Sequence, residues 1–243
     1  MQQILREHQT YPPNVVASIT SWEVWKTLKG KDLKDQCDWV ELRVDALPPE
    51  LAPEQVMEFR PDMPLLVTVR CHEEGGLRRM PEEERFSLLR AYMPYATAID
   101  IEIKSMRHGR ELVMEAADRG ILVIGSTHDF QITPGVDYLR EQEKKARAYR
   151  ADIVKFAFTP CVAGDIQTGV QLFKKPKGPI AVMGMGPMGP VSFTPSWAPA
   201  WCTATWGTGR RPPASGMSPS SRKPSATSVP FSDNSGDSFP ALS

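Results

Sequence analysis

Seven short apolar runs begin near Val15, Trp39, Leu65, Ala98, Ile121, Ala151 and Pro179, and a charged segment of helical period follows each of the first six. Strands that alternate with helices imply a parallel sheet, because right-handed crossovers lay the helices over its face. Seven units in a row favour the eight-fold (β/α) barrel over an open sheet of flavodoxin or Rossmann type. Side-chain alternation sharpens the choice. From Val40 to Asp45, one face carries Val40, Leu42 and Val44, and the other carries Glu41, Arg43 and Asp45. From Ile99 to Lys104, the isoleucines share one face and the charges the other. Val16, Ser18 and Thr20 likewise alternate with Val15, Ala17 and Ile19. Strands of an open doubly wound sheet are covered on both faces and read as continuous apolar runs, which these do not. An antiparallel sheet with one solvated face is the other solution, and the intervening helical segments disfavour hairpins. The pattern predicts helices outside and a polar, ligand-filled interior.

At 243 residues the chain has room for one large barrel domain and little more. Lys plus Arg and Asp plus Glu are both 29, so no basic field points to nucleic acid, and a small-molecule ligand fits better. Cys37, Cys71, Cys161 and Cys202 form no C-x-x-C pair, which argues for free thiols and against a metal ribbon or a disulfide framework. No apolar run approaches a membrane span, and the start, Met1 to His8 region, lacks the basic end and apolar core of a signal peptide. A cytoplasmic protein is expected.

Composition changes near Pro190. Residues 190–243 hold 9 of the 23 prolines, 12 serines, no glutamate and no isoleucine, which is not a helix-forming mixture. The expected fold is therefore α/β, a (β/α)8 TIM barrel whose last βα unit is missing or scrambled. Residues 1–189 are expected to form the catalytic barrel with strands one to seven. Residues 190–243 are expected to be an aberrant Pro/Ser-rich tail, disordered or translated out of frame. Such a barrel would leave unpaired edges on strands one and seven.

Candidate chemistry starts at Lys155, in the middle of the buried strand from Ala151 to Phe158. Desolvation disfavours its charged form and leaves an amine able to attack a carbonyl and form a Schiff base. Equally, such a lysine can snorkel from the strand or pair with a carboxylate. His128 follows the previous strand at its carboxyl end, where barrel active sites lie. It could move protons in both directions, or serve only as a structural hydrogen-bonding group. Arg43 and Arg70 suit an anionic, oxygen-rich substrate, or ion pairs with Glu41, Asp45 and Asp100 inside the barrel. Glu74 lies in a loop where Gly75 and Gly76 allow close approach to a ligand, though a lone loop acid is usually solvated. Gly184 to Gly189 matches G-x-G-x-x-G, but no helix and no suitably placed acid follow, so a dinucleotide loop is rejected.

Together, Val16-Ala-Ser18, Glu41-Leu-Arg43-Val-Asp45, Thr68-Val-Arg70, Glu74-Gly-Gly76, Ile99-Asp-Ile-Glu102, Ser126-Thr-His128-Asp-Phe130, Ile153-Val-Lys155 and Met183-Gly-Met185-Gly resemble the type I 3-dehydroquinate dehydratase family. The resemblance spans roughly residues 14 to 190. It implies a barrel, usually dimeric, that converts 3-dehydroquinate to 3-dehydroshikimate in the shikimate pathway without metal or redox cofactor. It implies the imine on Lys155, proton transfer by His128, and orientation of His128 by Glu74 and Asp100. Ser18, Glu41, Arg43, Arg70, Met183 and Met185 would meet the substrate. Past Gly189 the chain departs from the family, whose members carry a Ser-Arg pair that grips the substrate carboxylate. Here Phe193 follows Ser192. An inactive remnant of the enzyme and another Schiff-base lyase or aldolase on the same barrel are the competing expectations.

Overall fold

The computed structural model describes residues 14–174, 176–185, 191–193 and 201–206. Seven parallel strands follow one another around a curled sheet: β1 (Asn14–Ile19), β2 (Trp39–Arg43), β3 (Leu65–Thr68), β4 (Ala98–Glu102), β5 (Leu122–Asp129), β6 (Ile153–Phe158) and β7 (Ile180–Gly184). Between them run six helices: α1 (Trp22–Lys26), α2 (Pro53–Met57), α3 (Glu82–Tyr92), α4 (Arg110–Asp118), α5 (Val136–Ala148) and α6 (Ala163–Leu172). The expected βα repeat and the TIM-barrel-like fold are both present. None of these helices is long and apolar enough to cross a membrane.

Local chemistry sets several of these boundaries. Ser21 caps α1, its hydroxyl accepting from the Val24 N–H at 3.4 Å. Glu82, Glu83 and Glu84 fill the first turn of α3, where carboxylates complement the helix dipole. In α5, Arg147 departs from the solvated role that a charge-rich helix suggests. Its guanidinium donates to the carbonyls of Ala151 at 2.9 Å, Asp152 at 2.7 Å and Pro179 at 2.5 Å, tying the entries of β6 and β7 to the helix.

Alternation along the strands sorts the core into two layers. Ala17, Ile19, Val40, Leu42, Ile99, Ile101, Val154 and Phe156 point outward and pack against the helices. A second, separate cluster consists of Val16, Trp39, Leu66, Ala98, Leu122, Ile124, Ile153 and Ala181. These are inward positions near the amino ends of the strands, and they form an apolar floor. The next inward positions are Ser18, Glu41, Thr68, Asp100, Ser126 and Lys155, all buried. Polar groups therefore occupy the carboxyl half of the interior, above a dry base, as barrel active sites require.

The chain beyond β7 differs from expectation at both sheet edges. β8 (Val191–Phe193) pairs antiparallel with β7, and β9 (Trp201–Trp206) pairs parallel with β1 from Asn14↔Trp201 to Ile19↔Trp206. Strands one and seven are thus not left unpaired. The run Trp-Cys-Thr-Ala-Thr-Trp has strand-forming residues, but its short alternation is submerged in a Pro/Ser-rich neighbourhood. No helix lies between β7 and β9 among the described residues. The expectation for the tail otherwise concerns residues 190, 194–200 and 207–243, which lie outside the described residues, and the Gly184 to Gly189 run extends beyond them after Met185.

Candidate active site

Lys155 sits on β6 between Ser126 of β5 and Ala181 of β7. Its neighbours Val154 and Phe156 face the helices, so the alternation turns Lys155 inward. The residue is buried, and its stem borders a small cavity of about 20 Å³ walled by Val16, Leu66, Ile124, Ile153, Ala181 and Met183. Its ammonium reaches up to Asp100, with Nζ 3.5 Å from Oδ2. Of the roles open to a strand lysine, snorkelling is excluded, while pairing with a carboxylate is what the structure shows. This lysine does not snorkel to solvent but is held dry beside a carboxylate.

Asp100 lies at the centre of a charge network. Its Oδ1 accepts from Ser126 Oγ at 2.5 Å and pairs with Arg70 Nη1 at 2.9 Å. Arg70 Nη1 also donates to Glu102 Oε1 at 3.0 Å and to Ser126 Oγ at 2.7 Å. Glu102 accepts in addition from the Cys71 N–H at 2.8 Å and from Arg85 of α3. Burial alone would raise the pKa of Asp100, but the Arg70 and Lys155 charges hold it well below the usual carboxylate range. Across the barrel, Glu41 Oε1 accepts from Thr68 Oγ1 at 2.6 Å. There too burial acts upward and is outweighed, by the Lys155 charge and hydrogen bonds from Ser18 and Thr68.

Two residues beyond Ser126 on β5, at the next position of the same face, stands His128. Glu74 Oε2 accepts from its backbone N–H at 2.9 Å and meets its Nδ1 at 3.0 Å. Burial, then the charges of Arg70 and Lys155, depress the imidazole pKa well below its ordinary value, so the ring is neutral at pH 7. Burial and the Glu102 charge push Glu74 up to about 7, against the opposing effects of Lys104 and Arg70. Glu74 is not a solvated loop acid, because its own loop and β5 enclose it.

The structure therefore brings Lys155, Asp100, Glu41, Ser18 and Arg70 into one interior layer, with Glu74 and His128 above it. One expected contact, between Asp100 and His128, comes out differently, and for Arg43 the ion-pair reading is the one formed. Among the described residues Asp100 makes no hydrogen bond to His128 and acts on it through its charge, while its Oδ1 is held by Ser126 and Arg70. Arg43 is committed to Asp45 by a two-pronged contact of 2.9 and 2.8 Å, and it also donates to the Gly75 carbonyl at 3.0 Å. Both glycines are required by the protein's own chain. Gly75 has φ +88° under the Phe130 ring, and a Cβ on Gly76 would sit 2.3 Å from the Arg70 carbonyl oxygen. Met183 lines the cavity beneath Lys155, and Met185 donates its N–H to Phe158 at 2.8 Å.

Sequence reasoning gave no role to Glu102, Ser126, Arg85 or Lys104. Glu102 was findable, since it shares the inward face of β4 with Asp100. Arg85 was not, because its position on a charge-rich helix resembles an ordinary surface residue. Among the described residues no cluster of His, Cys, Asp and Glu is arranged to hold a metal ion.

A family model described as type I 3-dehydroquinase matches residues 26–198. The 3-dehydroquinate dehydratase of Thermococcus gammatolerans is 36% identical over 165 residues, covering 67% of this chain and 75% of that protein. That of Methanothrix thermoacetophila is 32% identical over 179 residues, covering 73% and 74%. Among solved structures, 3-dehydroquinate dehydratase from Enterococcus faecalis superposes with a TM-score of 0.63 at 28% identity, covering 73% of this chain and 81% of that one. The enzyme from Geobacillus kaustophilus shares the fold, with a TM-score of 0.70 at 20% identity over 82% and 85%.

Proposed function

The chain belongs to the type I 3-dehydroquinase family, and from that premise we propose that it dehydrates 3-dehydroquinate to 3-dehydroshikimate, a hydro-lyase step of the shikimate pathway, through an imine on Lys155. The observation that carries this reading is the dry lysine on β6 beside Asp100, with a neutral, carboxylate-held histidine on the adjacent strand.

The Lys155 amine adds to the substrate ketone, and loss of water gives the iminium. That cation withdraws electrons from the neighbouring carbon, and His128 takes a proton from it, leaving an enamine. Electrons of the enamine return to expel hydroxide from the next carbon, and the protonated His128 supplies the proton that makes it water. Hydrolysis of the imine then frees the product and restores the amine. Glu74 orients His128 directly. Asp100 stabilises the charge on Lys155 and keeps Arg70 in place, and Ser18, Glu41, Arg43, Arg70, Met183 and Met185 surround the ring. The chemistry calls for no metal or redox group.

Residues 1–189 carry this machinery in the present reading. The balanced charge favours a small anionic substrate over nucleic acid or a membrane surface, and we assign the enzyme to the cytoplasm as a homodimer.

Borohydride reduction in the presence of 3-dehydroquinate tests the central step. A mass increase localised to Lys155, with the appearance of an ultraviolet-absorbing enone in unreduced samples, is expected. An adduct on another residue, or no enone from a protein that forms the adduct, would overturn it. The latter result would favour a different Schiff-base lyase.

A further inference from the structure

Lys104 is not needed for any step above, yet its half-exposed ammonium turns toward the site. It follows β4 at the rim of the barrel with its side chain 49% exposed, and Nζ lies 3.4 Å from Glu74 Oε1. The other Glu74 oxygen, Oε2, holds His128 through the backbone N–H and Nδ1. One carboxylate thus joins a half-exposed cation to the buried imidazole. A cavity of about 260 Å³ borders Lys104, Glu74 and His128 together and also touches Glu73, Asp129 and Tyr138, so water has room beside the pair.

We propose that Lys104 is a positioning residue for His128: its ammonium keeps the Glu74 carboxylate ionised, and the ionised carboxylate holds the ring as the Nδ1–H tautomer with the lone pair on Nε2. The chemistry is specific to the charge state. An ionised Glu74 can only accept from Nδ1–H, which leaves Nε2 as the base. If the pair gains a proton, that proton sits on Nε2 while the Nδ1 proton passes to Glu74, so the ring stays neutral but its lone pair moves to Nδ1, bound by the Glu74 carboxyl, and Nε2 is no longer free to act as base. Other charges also face Glu74. Glu102 on β4 opposes ionisation, Arg70 after β3 favours it, and His72 and Glu73 share its turn. With Glu74 pushed up to about 7 by burial and Glu102, its ionised and protonated forms are close in population at neutral pH, and a rim cation 3.4 Å away tips them. Lys104 is in turn stabilised in its charged form, since Glu74 and Cys71 outweigh the burial of its stem.

The proposal rests on His128 being the proton-transferring group, and its test does not depend on turnover. Long-range proton–nitrogen NMR spectra of full-length protein labelled with 15N-histidine distinguish the two tautomers, and His128→Asn identifies the His128 signals among those of the four histidines. In the parent protein, Nδ1–H is expected at pH 8, giving way to Nε2–H as pH falls. In Lys104→Met the midpoint should rise by about one pH unit, and Lys104→Arg should restore it. An unmoved midpoint in Lys104→Met, or Nε2–H in the parent at pH 8, would overturn the proposal. In active protein the acid limb of kcat should move with the tautomer midpoint. If the parent neither forms the adduct nor turns over, the functional reading fails while the spectra still decide the role of Lys104.

Discussion

Asp100 Oδ2 lies 3.5 Å from Lys155 Nζ, and that oxygen has no hydrogen-bond partner among the described residues. At this separation the two interact as charges and not through a formed hydrogen bond. The second oxygen of Asp100 is fully engaged by Ser126 and Arg70, so the carboxylate stays fixed while the amine is free to leave it. A lysine that must bond to a substrate carbon needs such a loose partner.

Lys155→Ala should therefore abolish the borohydride-trapped adduct and lower turnover by roughly 10⁴-fold or more. It also leaves Asp100 and Glu41 short of a buried counter-charge. Intact-protein mass spectrometry and denaturant unfolding check the two effects separately.

For His128→Ala the expected outcome differs in kind. The adduct still forms, because Lys155 retains Asp100, but turnover falls roughly 10²- to 10⁴-fold through loss of acid–base transfer. Trapping in a stopped reaction, set beside the steady-state rate, separates the steps. An adduct that no longer forms would move His128 to imine formation.

Arg85 tests the charge network away from the substrate. It approaches Glu102, which is wholly buried, and also donates to the Val69 carbonyl at 3.1 Å. Arg85→Ala strips one cation from a carboxylate that cannot reach water, so unfolding free energy should drop by about 3–5 kcal/mol. Urea denaturation measures it.

Stability should depend on pH through Glu74. Its folded pKa, about 7, lies above the ordinary glutamate value, so the folded form retains its proton where the unfolded chain has released it. The associated stability is complete below about pH 4.5 and is lost as pH rises through 7. Glu74→Gln removes that dependence. Relative to the parent, it should gain on the order of 3 kcal/mol between pH 4.5 and 8, read as the difference of two unfolding curves.

Gly76→Ala should damage the site from its support. A Cβ there meets the Arg70 oxygen at 2.3 Å and the Cys71 carbonyl at 2.8 Å, all backbone atoms that cannot rotate away. The expected cost is about 1–3 kcal/mol of stability together with reduced turnover, as the loop bearing Glu74 shifts.

Much of this molecule could be read directly from the chain. The separation of Ile99, Ile101 and Ile103 from Asp100 and Glu102 marked both faces of β4, and a charged inward face implied a barrel. Lys155 and His128 declared themselves as polar residues on or after apolar strands. The partnerships were legible only in part: the resemblance implied that both Glu74 and Asp100 orient His128, and the residues left the arginines between substrate and ion pairs. That Glu74 bonds His128 while Asp100 does not depends on where a loop after β3 crosses β5, more than fifty residues later in sequence. Nor did the chain reveal the strand Trp201–Trp206 beside β1, since pairing across that distance leaves no local period.

The sequence by itself determined the order of strands and helices, the face each strand turns inward, and the residue types available for chemistry. Those are local properties, set by side-chain alternation and the cost of exposing apolar surface. Only the tertiary structure decided which charges neutralise one another, which carboxylate holds the imidazole, and which amine is left loosely paired. Electrostatic energies in a dry interior vary with distances of a few ångströms between residues far apart in the chain, and only the closed fold sets those distances.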